Sequence, residues 1–207
     1  MADYKRHISL GFLWGIIYSS ICFFTGRIDL IQGIMSTVLA QIGAALPDID
    51  SDTARPRRII LGILGIAIPV IVASGYFRDV RLETTFCIIL FSYVFVQYVL
   101  SYIFTKYTKH RGLFHSIPMV IFSSELTYLL FIGSGTKMAL IYSIACGGGY
   151  LSHLVLDEFY SVNMMNLSLK RSFGTALSLK GDSTCCNLLL YLLILLSGLI
   201  CCWKSAR

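Results

Sequence analysis

The chain has only four histidines, and none lies far from a carboxylate, an arginine or another histidine. His110 and His115 sit in the polar stretch Lys109-His110-Arg111-Gly112-Leu113-Phe114-His115-Ser116, between two long apolar runs. His153 stands four residues before Asp157 at the end of another apolar run, and His7 opens the first. Pro47-Asp48-Ile49-Asp50-Ser51-Asp52 places three carboxylates at the end of a further run. Neutral imidazole and ionised carboxylate are the donors that a hard-to-borderline divalent ion, zinc or manganese, accepts. The residue types therefore point to a metal site assembled from four segments.

The spacings refine this. On a helix His153 and Asp157 fall on one face and can reach one ion; alone, the pair equally suits an interfacial histidine bonded to its own carboxylate. His110 and His115 are five apart, and Gly112 offers a break that leaves His110 in a turn while His115 enters the next helix. The bland alternative is a basic loop against lipid headgroups, which Lys109 and Arg111 also fit, although Arg111 can fork onto a phosphate. In an extended segment Asp48 and Asp50 point the same way, as metal ligands, with Asp50 also a candidate general base. A short Asp-x-Asp run otherwise merely ends a helix in water.

What must position these groups is read from composition. Of 207 residues, 56% are hydrophobic and 14% charged, and the mean hydropathy is +0.74, well beyond a soluble domain with roughly 45–50% apolar residues. The chain reads as an all-α polytopic membrane bundle, one integral-membrane domain over residues 1–207. A spanning helix needs about 20 apolar residues, and seven runs qualify or nearly so: Ile8–Phe24, Leu30–Leu46, Ile59–Phe77, Thr84–Thr105, Phe114–Ile132, Met138–Leu156 and Leu188–Trp203. Turns are expected at Gly26-Arg27-Ile28-Asp29 and Gly133-Ser134-Gly135, a stop at Pro47, and a polar loop over Glu158–Asn187. Gly147-Gly148-Gly149 would let a neighbouring helix approach closely. Glu125, about 15 Å into its helix, is expected to face the bundle interior. The seven cysteines include no Cys-x-x-Cys and read as small packing residues. Lys5-Arg6 before an apolar run resembles a signal peptide, but no small-x-small site follows, and the run is kept as an anchor.

If all seven runs span, eleven of the 17 Lys and Arg fall on the side of the N-terminus, at 5, 6, 55, 57, 58, 106, 109, 111, 170, 171 and 180. The positive-inside rule makes that side cytoplasmic. His7, Asp48, Asp50, His110, His115, His153 and Asp157 all fall at helix ends on that same side. A miscounted helix would break the coincidence. The net charge of +6 is dispersed in short loops, and no nucleic-acid motif accompanies it.

Three segments, Ala45-Leu46-Pro47-Asp48-Ile49-Asp50-Ser51, His110-Arg111-Gly112-Leu113-Phe114-His115-Ser116 and Gly149-Tyr150-Leu151-Ser152-His153-Leu154-Val155-Leu156-Asp157, with the early His7, resemble the YdjM-like family of bacterial inner-membrane, metal-dependent hydrolases. The resemblance runs from about residue 7 to about residue 160. It implies a multi-pass inner-membrane protein with hydrolase activity, and metal-ligand roles for His7, Asp48, Asp50, His110, His115, His153 and Asp157. Members often follow the last aspartate with Thr-x-x-Gly; here Glu158-Phe159-Tyr160-Ser161 stands instead, a departure on the substrate side of the pocket.

The expected chemistry is hydrolysis of a phosphate ester or diester, of a lipid or another phosphorylated substrate, by metal-activated water, with Arg111 taking up charge on the phosphoryl oxygens. The rival is a metal or ion transporter using the cluster as an entry site. Transport usually places ionisable groups near the bilayer midplane, where Glu125 is the only acidic candidate. A third reading is a structural membrane protein with incidental metal.

Overall fold

Among the described residues, apolar runs bounded by Gly, Pro and Asp form seven α-helices at the places expected. The computed structural model describes residues 4–50, 54–76, 81–100, 102, 113–163, 168–169, 177–181 and 183–206. The helices are α1 (Tyr4–Phe24), α2 (Leu30–Ala45), α3 (Ala54–Tyr76), α4 (Leu82–Val94), α5 (Ile117–Phe131), α6 (Thr136–Ser161) and α7 (Thr184–Ser205). Past α6, Val162–Asn163 pairs antiparallel with Ser168–Leu169.

Five stretches are long and apolar enough to cross a membrane: Arg6–Phe24, Leu30–Ile49, Ile117–Ser134, Thr136–Ser161 and Thr184–Ser205. α3 carries the shorter apolar stretch Ile60–Ile71, and α4 together with the π-helical turns that follow it, Phe95–Leu100, carries Glu83–Val99. The seven expected spans thus resolve, among the described residues, into five of full length and two short ones. The outer surface is apolar, with Ile31, Phe91 and Leu188 more than 70% exposed, as helices need where the surroundings are hydrocarbon.

The local signals act where the sequence places them. Gly26 turns with φ +66°, a conformation glycine adopts without steric cost. Asp29 then caps α2: its carboxylate accepts from Gln32 N–H at 2.8 Å, and the Gln32 side chain accepts from Asp29 N–H at 2.9 Å. Between α5 and α6 the chain turns at Gly135, φ +96°.

α6 is the central helix, with 61% of its span buried against 6% for α7. The three consecutive glycines explain how. Successive residues on a helix point about 100° apart, so each glycine meets a different neighbour. A Cβ on Gly147 would lie 2.1 Å from Ser124 Oγ of α5, on Gly148 2.3 Å from the Trp14 ring of α1, and on Gly149 2.0 Å from the Ala40 carbonyl of α2. Gly43 of α2 reciprocates, since a Cβ there would lie 2.0 Å from the Cys146 carbonyl. Small residues let backbones approach where no hydrophobic effect drives helices together. One neighbour was expected at this motif; three are found.

Hydroxyl and indole groups complete the packing. Trp14 Nε1–H donates to the Ala145 carbonyl at 3.3 Å, and Ser19 Oγ and Thr37 Oγ1 share a bond of 3.0 Å between α1 and α2. Cys22 and Cys146 are buried in the apolar core, as expected of packing residues. Glu125 turns to α7, where Ser197 Oγ–H donates to it at 2.6 Å.

Candidate metal centre

Four helix ends meet at one end of the bundle. The first turns of α1 bring His7, and the turn after α2 brings Asp48. The turn before α5 brings His115, and the last turns of α6 bring His153 and Asp157. All five side chains are buried, none more than 8% exposed as a residue. Burying imidazoles and carboxylates is costly unless something replaces their water.

Their mutual distances suggest what does. His7 Nε2 lies 3.4 Å from Asp157 Oδ1, His115 Nε2 3.6 Å from Oδ2, and His153 Nε2 3.7 Å from Oδ2 and 4.0 Å from Asp48 Oδ1. These are longer than the 2.7–3.2 Å of good hydrogen bonds. Donors about 2.1 Å from a zinc ion, however, stand about 3.4 Å from one another in a tetrahedral shell. His153 Nε2 and both Asp157 oxygens are buried without a hydrogen-bond partner. The donor set, its spacing and these three atoms fit a divalent metal.

The tautomer of His153 follows from one contact. Its Nδ1 lies 2.7 Å from the Ala44 carbonyl, and a carbonyl only accepts, so Nδ1 carries the proton and Nε2 presents its lone pair to the cluster. Pro47, three residues beyond Ala44, has no N–H to offer that carbonyl in the tight turn. His7 stacks on His153 with centroids 3.7 Å apart, and His115 meets it edge-on at 5.6 Å.

Two groups of three donors, each with ligand atoms within 4.8 Å, share His153: one with His7 and Asp157, the other with Asp48 and His115. A single imidazole lone pair serves one ion. Asp157 divides its carboxylate, Oδ1 toward His7 and Oδ2 toward His115 and His153, so its two oxygens would be available to a cation held there.

Two expectations change. Asp48 lies not in an extended segment but in a 3₁₀ turn, Leu46–Asp50, where residues two apart do not project the same way. Pro47 is compatible with this turn, since proline is tolerated in the first turn of a helix. His115 does not enter the fifth helix. It precedes Ser116, the N-cap of α5, because Pro118 sits in the opening turn, where its missing N–H costs nothing. Of the remaining expected site residues, the ligand His110 and the phosphate-facing Arg111 lie outside the described residues, as does the side chain of Asp50.

Supporting contacts were not singled out from sequence. Tyr150, fully buried on α6, donates its hydroxyl to the Phe114 carbonyl at 2.5 Å. Ile117 N–H donates to the Ser178 carbonyl at 3.0 Å, so the segment before α7 lies along the His115 turn. Arg6 donates to the Tyr160 hydroxyl, its guanidinium 5.4 Å from that ring centre. The available signal was position: Arg6 adjoins His7, and Tyr160 follows Asp157 by three residues, hence lies on the same helical face.

No curated protein and no solved structure matches the chain. All five clustered donors lie within residues 1–168, the stretch that matches the model of the YdjM inner membrane protein family, and with about four-fifths of its length so covered this multi-pass membrane protein belongs to that family.

Proposed function

We propose that the protein is a membrane-bound, metal-dependent hydrolase of a phosphate ester or diester, with its site at the cytoplasmic face. The observation that carries the reading is His153: a buried imidazole whose Nδ1–H is committed to Ala44 and whose Nε2 faces two carboxylates. A neutral imidazole so oriented is built to ligate. Zinc and manganese both suit three histidines and two aspartates. A divalent cation there would supply positive charge for the phosphoryl oxygens and acidify water near neutral pH.

The chain's own residues do the rest. His7, Asp48, His115, His153 and Asp157 hold the cation and exclude bulk water. Asp50, two residues beyond Asp48, is assigned as the base and Arg111 as the cation for phosphoryl charge. In the reaction the oxygen of water bonds to phosphorus and the ester P–O bond breaks. The proton given up by water ends on the leaving oxygen. The cytoplasmic assignment rests on the excess of Lys and Arg on that side.

Transport is less well supported. Glu125 is bonded to Ser197 and belongs to neither donor group, so among the described residues no ligand path leads from the cluster into the bilayer. The test is elemental analysis and phosphate release by detergent-purified protein supplied with zinc or manganese. Asp157→Asn should lose both, while Glu125→Ala keeps its metal. Full metal content in Asp157→Asn, or ion flux abolished by Glu125→Ala, would overturn the hydrolase reading.

A further inference from the structure

The first turns of α1 present three different chemistries in succession. Arg6 is exposed over Tyr160, His7 points into the donor cluster, and Ile8 forms one wall of a groove between α1, α2 and α3. The groove has a volume of about 230 Å³ and is lined by Ile8, Val38, Gln41, Ala45, Ile60 and Ile63, among others. Ala45 and Ile60, 7% and 4% exposed, form its floor, while Val38 and Ile63, 41% and 49% exposed, flank its opening to the bilayer. From Ala45 to Val38 it runs about 10 Å along α2, at 1.5 Å per residue. Behind the floor Ala45 and Ile60 pack on Ile49, the neighbour of Asp48.

We infer that the substrate is a membrane lipid bearing a phosphate, with an acyl chain in this groove and the phosphate delivered past Ile8 and His7 to the donor cluster. The inference rests on the hydrolase reading above and names its substrate class. The ordinary lipid-facing surface of the bundle is a row of projecting side chains; this stretch is concave, and Ile8 in its wall directly follows His7 of the donor cluster. Among the described residues Gln41 is the one polar side chain lining it, an amide able to donate to an ester carbonyl where the chain joins its headgroup. Arg6, beside His7, supplies the planar donor fork that phosphate accepts. A soluble phosphate ester would use the cation and leave the groove without a role.

The test fills the groove at its mouth. Val38→Trp and Ile63→Trp change partly exposed residues, so folding is not at risk, and Leu192→Trp, 53% exposed on α7, controls for an added indole at the lipid surface. Wild-type protein in phosphatidylcholine nanodiscs doped with dioleoyl phosphatidic acid should hydrolyse that lipid. In metal-stripped protein transferred to detergent, native mass spectrometry should find the phosphatidic acid retained. Each methylene displaced costs about fourfold in affinity, so losing two or three lowers retention by roughly 15- to 60-fold. The activity ratio of phosphatidic acid to para-nitrophenyl phosphate should fall with it in both groove variants and not in Leu192→Trp. Equal retention in wild type and groove variants, or an unchanged ratio, overturns the acyl-chain assignment. Selective retention by a metal-loaded protein that cleaves neither substrate sinks the hydrolase reading instead and leaves the groove standing as a lipid site.

Discussion

Replacing His153 by alanine should remove most of the metal affinity. Apparent binding free energies of about 10–16 kcal/mol for four-ligand zinc sites average roughly 2.5–4 kcal/mol per ligand, a factor of about 10² to 10³. His153 contributes more than a donor atom. Its Nδ1–H bonds the Ala44 carbonyl at 2.7 Å and its ring stacks on His7 at 3.7 Å. The substitution therefore also leaves a buried carbonyl without that donor, about 1–3 kcal/mol of stability, and frees the His7 ring to rotate. The loss of affinity is expected at or above the upper end of that range, with a lower unfolding temperature even in metal-free protein. The assay is competition with a chelator of known affinity, alongside thermal unfolding in detergent with and without metal. Ser152→Ala, one residue away and turned off the cluster with its hydroxyl on the Gly149 carbonyl, should match wild type. If His153→Ala binds metal as tightly as Ser152→Ala, the cluster is not a metal site, and the buried imidazole serves only to cap α2.

Helix approach gives a second prediction: Gly149→Ala must push α6 off the Ala40 carbonyl, since the added Cβ would lie 2.0 Å from it. Overpacking of this kind costs about 1–3 kcal/mol, read as a fall in unfolding temperature, whereas Gly33→Ala, with nothing nearer than 3.8 Å, should shift it far less. Orientation is tested in a cysteine-free background: Lys180→Cys should label from the cytoplasm and Lys137→Cys and Ser205→Cys from the opposite side. Labelling of all three from one side would remove the shared-face argument.

Much of this protein was legible in its residues. Hydropathy placed seven helices and the membrane around them, because hydrocarbon tolerates only backbones that satisfy their own hydrogen bonds. The positions of the apolar runs put His7, Asp48, His115, His153 and Asp157 at one end of the bundle, since that needs only a count of helices. The pattern also marked Gly147-Gly148-Gly149 as a close approach. It did not say to whom, because a glycine specifies room for a neighbour and not which neighbour fills it.

The tertiary structure decided how the clustered side chains face one another. Which nitrogen of His153 faces the cluster depends on a carbonyl 109 residues earlier in the chain, and no local pattern encodes a partner at that distance. The division of Asp157 between His7 on one oxygen and His115 and His153 on the other depends on how α1, the His115 turn and α6 pack. The direction of Asp48 turned on whether the chain past Pro47 runs extended or coils, and the residue types there permit both. Packing against α3 and α6 selects the 3₁₀ turn. Residue types and spacing thus set which groups reach the site, whereas side-chain direction is a property of the assembled helix ends.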